Sequence, residues 1–374
     1  MIYLDSAATT FQKPDTVAAA VQEALATMSS PGRGGYPAAM HAADAAFACR
    51  SELAEMYHAE SPEQVVFTLN ATHALNIALK SLVPKGGRAV ISGYEHNAVT
   101  RPLEALGVSA AVADAPLFSP EAVAEAFDRL ITPDVNAVVC NHVSNVFGFV
   151  QPVEEIAAVC RARNVPFIID ASQSAGLLTL DIAALGAAFI AMPGHKGLYG
   201  PQGTGVLICG KDAPASTLLE GGTGSLSIQQ SMPDFLPDRL EAGTHNMPGI
   251  NGLLAGVQYV RRQGPEAICR HERVLTHLTA EGLRSIPGIR VYAQPDLAAQ
   301  AGVLSFVPEG RDVESVGAAL AERGVAVRAG IHCAPLAHRT AGTIGTGTVR
   351  LSFSAMNTRE EVNRFLSVMR ELFR

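Results

Sequence analysis

The residues able to do chemistry in this chain recur at the ends of short apolar runs. Phe167-Ile168-Ile169 ends on Asp170, with Ser172 and Gln173 just beyond, and Ala187 to Met192 stops before Pro193-Gly194-His195-Lys196. Three earlier runs behave alike. Val65-Val66-Phe67 leads to Asn70-Ala71-Thr72-His73, Ala89-Val90-Ile91 leads to Glu95-His96, and Ala137 to Cys140 leads to Asn145. Runs of this length, bounded by polar or turn-forming residues, read as buried strands of a parallel sheet. The carboxyl ends of such strands share one rim, where ligands of open α/β sheets bind. Thr72, His96, Asn145, Asp170 and Lys196 are therefore expected around a single crevice.

An acid and a lysine on one rim suit pyridoxal phosphate (PLP). A lysine amine forms a Schiff base with its aldehyde, and a carboxylate keeps the ring nitrogen protonated so that the ring can take up electrons. Lys196 and Asp170 are the candidates. Thr72 stands where a strand feeds a helix N-terminus, whose free N–H groups and dipole attract phosphate. Each residue also has a plain explanation: a solvated loop lysine, a capping aspartate, an ordinary N-cap at Thr72, a surface histidine at 96. The joint placement of Lys196, Asp170, Gln173 and His195 is what points to a site.

Six cysteines are spread widely, with no Cys-x-x-Cys pair, which fits neither a zinc site nor a small disulfide scaffold. Cys140, Cys160 and Cys209 fall inside apolar runs and read as inert core. Cys333 lies in a polar stretch after Arg328 and His332, which would favour its thiolate. Position alone leaves a reactive and an incidental Cys333 level.

The remaining composition narrows the field. The 374 residues, 48% hydrophobic and 17% charged, are enough for a globular chain of two domains. A net charge of −7 without a basic run argues against nucleic acid. The longest uncharged apolar stretch, about Ile182 to Met192, falls short of the roughly 18 residues of a membrane span. With no basic-then-apolar leader, a soluble cytoplasmic protein is expected.

The elements that must hold these residues follow from periodicity. Asp15 is expected to cap a helix burying Val17, Val21, Leu25 and Met28, and Ser29 to Tyr36 to form a Gly-rich loop. From Gln64 the texture alternates strand and helix. Val206 to Cys209 reads as an antiparallel strand at the sheet's side, and Pro248 opens a helix. Beyond it, strands at Val303 to Phe306, Val325 to Val327 and Thr348 to Phe353, with helices near 312–323 and from Thr358, suggest a smaller α+β unit. The expected division is a large domain over 15–247 and a small one over 1–14 and 248–374.

As an ordered set, Tyr3-Leu4-Asp5-Ser6-Ala7-Ala8, Glu95-His96, His142-Val143-Ser144-Asn145, Asp170-Ala171-Ser172-Gln173, Gly194-His195-Lys196, Glu241-Ala242-Gly243-Thr244 and Arg328 to Cys333 resemble the class V aminotransferase family of fold-type I PLP enzymes. Within it they resemble the Suf-like cysteine desulfurases. The resemblance implies a PLP-dependent α/β transferase fold: a large domain with a mostly parallel sheet between helices, and a smaller α+β domain. It implies that Lys196 carries PLP, Asp170 pairs with its ring nitrogen, His96 stacks on the ring and shuttles protons, and Asn145 and Gln173 bond near the phenolic oxygen. Ala71, Thr72 and His195 would hold the phosphate, with Thr244 reaching across a homodimer. Arg350, helped by Asn145 and Arg328, would bind the substrate carboxylate.

The implied reaction converts L-cysteine to L-alanine. The freed Lys196 would take the Cα proton, and the Cys333 thiolate would accept the sulfur as a persulfide and pass it to an acceptor thiol or sulfur-carrier protein. No metal is implied. Pro193 departs from the family's hydroxyl residue, Asn70-Ala71-Thr72-His73 from its usual turn, and Ala329 from a larger neighbour of the arginine. The rivals are selenocysteine lyase, another class V aminotransferase or β-lyase, and a weakly catalytic sulfur-relay or binding partner.

Overall fold

The apolar runs become strands because β-branched residues pack well on a pleat buried on both faces. In the computed structural model, which describes residues 1–32, 34–294 and 299–374, the strands in chain order are β1 (Ile2–Tyr3), β2 (Val65–Thr68), β3 (Arg88–Ser92), β4 (Ser109–Ala113), β5 (Ala137–Asn141), β6 (Phe167–Asp170), β7 (Phe189–Pro193), β8 (Gly205–Cys209), β9 (Ile289–Tyr292), β10 (Val303–Pro308), β11 (Val325–Ala326), β12 (Arg328–Gly330) and β13 (Thr348–Ser352). The helices are α1 (Asp15–Thr27), α2 (Pro37–Tyr57), α3 (Ala71–Leu82), α4 (Asn97–Ala105), α5 (Pro120–Leu130), α6 (Val153–Arg163), α7 (Ile182–Leu185), α8 (Met247–Gln263), α9 (Pro265–Arg284), α10 (Val313–Glu322), α11 (Pro335–Thr340) and α12 (Arg359–Leu372).

The central sheet has the order β2-β8-β7-β6-β5-β3-β4. β7, β6, β5, β3 and β4 run parallel, which puts the ends of β3, β5, β6 and β7 on one rim. β8 is antiparallel to both β7 and β2. It is therefore not the lateral strand that the sequence indicated: β2 pairs outside it and takes the edge. Successive residues feed opposite cores, Val138, Ile169 and Ile190 on one face and Val139, Ile168 and Ala191 on the other. That alternation is the period-two geometry of a strand covered on both sides.

Two details of the helices differ from expectation. Pro14 occupies the N-cap of α1 and Asp15 is its first helical residue, placed where a carboxylate favours the helix dipole. Ala24 rather than Leu25 turns inward, and Leu25 is 72% exposed. The Gly-rich segment before α2 is loop over its described residues; Arg33 lies outside them.

A second core gathers Leu275 of α9, Leu304 and Phe306 of β10, Leu351 of β13 and Phe365 of α12. Its antiparallel sheet has the order β12-β13-β10-β9, and β1 pairs in parallel with β11. α12 opens with the reciprocal Thr358–Glu361 capping box. Leu253 and Val257 of α8 join the large core instead. The segment after β1 runs between the two units: Ser352 donates its N–H to Leu4 O at 2.8 Å, and Thr10 donates its N–H to His195 O at 3.2 Å. Among the described residues no helix is long and apolar enough to cross a membrane, and no cluster of three His, Cys, Asp or Glu side chains could hold a metal.

Candidate active site

Lys196 follows β7 on a turn that only glycines permit. A Cβ at Gly197 would collide with the carbonyl of Ala175, so the turn lies directly on the segment after β6. Across the rim, a Cβ at Gly205 would strike the Asn70 backbone, so this glycine lets the turn before α3 close over β8. The result is a cavity of about 120 Å³ lined by eight of the residues read from the sequence: Ala71, Thr72, His96, Asn145, Asp170, Gln173, His195 and Lys196.

Each side chain is held by its own element. Asn70 caps α3 by accepting from His73 N at 2.9 Å, which leaves the N–H groups of Ala71 and Thr72 facing the cavity end of the helix. His96 caps α4, its Nδ1 accepting from Ala98 N at 3.0 Å. A neutral ring in that bond carries its proton on Nε2. Asp170 accepts from Ser172 N at 2.9 Å, and Gln173 donates through Nε2 to Ala7 O at 3.0 Å. His195 pairs its Nδ1 with Thr9 Oγ1 at 3.0 Å.

The electrostatics ease the loss of a proton from the Lys196 amine. Loss of hydration pulls Lys196 down to about 8, with Asp170 opposing the shift and Arg350 adding to it. Burial likewise lowers His96, partly countered by Asp170, and takes His195 to about 4 with help from Lys196 and Lys13. Both imidazoles are neutral at pH 7. Asn145 Oδ1 is buried and has no partner among the described residues, while its Nδ2 donates to His332 O at 2.9 Å. An orphaned acceptor in such a cavity calls for a ligand or a water.

Four expected site residues stand apart from that cavity. Thr244 is exposed and lines a separate hollow of about 90 Å³ with Phe67, His73 and His245. Arg350 is buried, donating through Nη2 to Asp5 Oδ1 at 2.8 Å and through Nη1 to Asn145 O at 3.0 Å. Arg328 is half-exposed and donates through Nη2 to Asp5 Oδ2 at 2.8 Å. Cys333 is the exposed cysteine, the other five being buried, and both His332 and Cys333 have left-handed backbones with φ of 52° and 55°. Non-glycine residues held there store strain, which concentrates at functional sites.

Sequence reasoning passed over a polar layer beneath the cavity. Glu95 is fully buried, its Oε1 accepting from Ser92 Oγ at 2.7 Å and Asn141 N at 2.8 Å. Burial, and then the charge of Asp170, push Glu95 up to about 8. The Glu95-His96 pair was visible as a motif, but nothing in it indicated that the acid faces inward. A second buried pair, Arg50 bonded to both oxygens of Glu241 at 2.8 and 2.6 Å, anchors the loop preceding Thr244. Phe67 N adds a bond to Glu241 at 2.6 Å.

The fold and the sequence match known proteins. The model of the class V aminotransferases covers residues 2–365, and the chain belongs to that family. It is 34% identical to a probable cysteine desulfurase of Mycolicibacterium paratuberculosis across all of this chain and 55% of that protein, so it spans about half the length of that relative. It is 34% identical to another of Methanothermobacter thermautotrophicus, covering 99% of this chain and 94% of that one. Among solved structures, a cysteine desulfurase from Thermococcus onnurineus NA1 in the apo form superposes with a TM-score of 0.89 at 32% identity, covering 100% and 94% of the two chains. The Escherichia coli cysteine desulfurase CsdA, as its S-sulfonic acid, gives 0.86 at 26%, covering 100% and 95%. The fold is the type I fold of PLP-dependent transferases, with the seven-stranded sheet and the smaller antiparallel one in place.

Proposed function

We propose that the chain is a PLP-dependent cysteine desulfurase, acting on L-cysteine to give L-alanine and enzyme-held sulfur. One observation carries the desulfurase reading beyond the family: the backbone N–H of Asn97, next to His96, bonds to Cys333 O at 2.8 Å, so an exposed thiol is pinned at the rim of the Lys196 cavity. Transamination needs no such thiol. The similarity to proteins named cysteine desulfurase agrees with it.

The cavity fits PLP on the chemistry of its walls. Lys196 supplies a neutral amine above about pH 8, Asp170 a carboxylate, the start of α3 free N–H groups, and Asn145 an unmatched polar atom. Pro193 lines the cavity and offers no hydroxyl, so Thr72, Ala71 N–H and His195 are left as the phosphate ligands. Bound there, PLP would supply an electron sink for the pair left at Cα.

The chain's own groups then divide the work. Lys196 Nζ removes the Cα proton of the substrate, and its lowered pKa brings the free amine within reach just above neutrality, from about pH 8. Asp170 would hold a proton on the ring nitrogen of the bound group. His96 would lie against the bound group and carries a proton at Nε2 within the cavity. The Cys333 thiolate bonds to the substrate sulfur as the Cβ–S bond breaks, the electron pair stays with carbon, and protonation leaves alanine. A thiol or sulfur-carrier protein collects the persulfide. Arg350, with Asn145 and Arg328, holds the substrate carboxylate.

We take the working form to be a cytoplasmic homodimer in which Thr244 completes the other subunit's phosphate site. Its exposure outside its own chain's cavity supports this, as do the exposed Met40 and Phe47 on α2. The test is alanine formation from L-cysteine by purified protein with a reductant present. Multiple turnovers establish desulfuration; a PLP-loaded protein giving alanine only from selenocysteine, or none at all, overturns it.

A further inference from the structure

Arg328 and Arg350 are directly opposite each other across the antiparallel β12–β13 pair. Like charges in that position repel, and Arg350 is nearly fully buried, so the arrangement is stable only with an anion between them. Asp5 is that anion. Its Oδ1 accepts from Arg350 Nη2 at 2.8 Å, and its Oδ2 accepts from Arg328 Nη2 at 2.8 Å and Nε at 3.1 Å.

The same contacts leave one N–H of Arg350 unmatched. Nη1 is held by Asn145 O, one Nη2 bond goes to Asp5, and Nε is buried without a partner among the described residues. A buried, unmatched guanidinium N–H is costly in the absence of a ligand and well suited to one carboxylate oxygen. Two arginines and one aspartate also leave a single positive charge, which one substrate carboxylate neutralises.

Asp5 belongs to a segment that bonds to the Lys196 turn as well. Two residues on, Ala7 accepts from Gln173 through its carbonyl and donates its N–H to Ser352 Oγ at 2.7 Å. Thr9 and Thr10 bond to His195, the residue before Lys196, at 3.0 Å each. One short strap thus grips the arginines of the smaller sheet and the turn carrying the lysine.

We propose that Asp5 is a positioning residue for the substrate: it fixes the orientation of the Arg350 guanidinium for the amino-acid carboxylate and, through the strap, its placement relative to the Lys196 turn. This rests on the carboxylate role given to Arg350 above. It concerns binding of the amino acid rather than bond breaking, so its signature lies in substrate affinity.

The experiment compares wild-type holoenzyme with Asp5→Asn. The expected result is a KM for L-cysteine raised at least about tenfold with kcat within about threefold, since binding common to ground and transition states is what is lost. L-Alanine carries the same carboxylate and no thiol; its affinity, read from the cofactor's absorbance, weakens by the same factor, and Asp5→Glu recovers part of it. Unchanged KM and alanine affinity, or a loss confined to kcat or to thermal stability, overturns the proposal. Should Asp5→Asn not fold, Asp5→Glu decides by the same split. Wild-type protein that makes no alanine from L-cysteine refutes the desulfurase reading alone, and the alanine titration still decides the role of Asp5.

Discussion

Asn97 N donates to Cys333 O at 2.8 Å, which ties the start of α4 to the loop between β12 and α11 and seats Cys333 beside His96. The bond uses the backbone of Cys333 and leaves its sulfur free. Cys333→Ala is therefore expected to keep the bound cofactor's absorption while sulfur transfer falls to background. As the side chain is exposed, unfolding free energy should stay within about 0.5 kcal/mol of wild type. Desulfuration at the normal rate by this variant would remove Cys333 from the mechanism.

The amine of Lys196 gives a pH dependence with a definite sign. Its folded pKa of about 8 lies below the roughly 10.4 of an exposed lysine, so between those values the unfolded chain binds more protons. In protein stripped of cofactor, this group makes stability rise with pH from about 8 to about 10.4, and Lys196→Met abolishes the rise. Denaturant titrations across that range check it. The same variant should take up PLP without a borohydride-fixable linkage.

Glu95 acts in the opposite direction. Its folded pKa of about 8 is above the usual 4.3 or so, so the folded state binds more protons between the two values and stability from this group falls as pH rises through that window. Glu95→Gln should be close to neutral near pH 5 and more stable than wild type above pH 8. Parallel stability curves for the two proteins would show that Glu95 ionises normally.

Much of the cavity was legible because β3, β5, β6 and β7 lead within a few residues to His96, Asn145, Asp170 and Lys196, and a parallel sheet delivers strand ends to one rim. The place of β8 was not legible, because Val206 to Cys209 reads alike in second and outermost positions and only its pairing with β2 decides. Leu25 misled for a related reason: helical spacing tolerates a one-residue rotation, and it is Ala24 that is buried. Asp5 stood in a recognisable motif, yet its link to Arg350 spans 345 residues of sequence and needed the folded chain to be seen.

The Arg50–Glu241 pair should be a stability determinant. Both side chains are almost wholly buried, and Arg50 also lies over the Phe67 ring at 4.2 Å. Arg50→Met leaves a carboxylate without its partner and should cost about 3–5 kcal/mol, measured by chemical denaturation. A loss below about 1 kcal/mol would mean that water or a neighbour replaces the guanidinium.

The left-handed backbone at Cys333 has a consequence for anyone redesigning this chain. On conformational grounds position 333 favours glycine or asparagine, so an optimisation for thermal tolerance alone would be drawn to exchange the thiol there, gaining robustness while erasing the group to which we assign sulfur transfer. Sequence sampling guided by backbone fit would need residue 333 locked in advance.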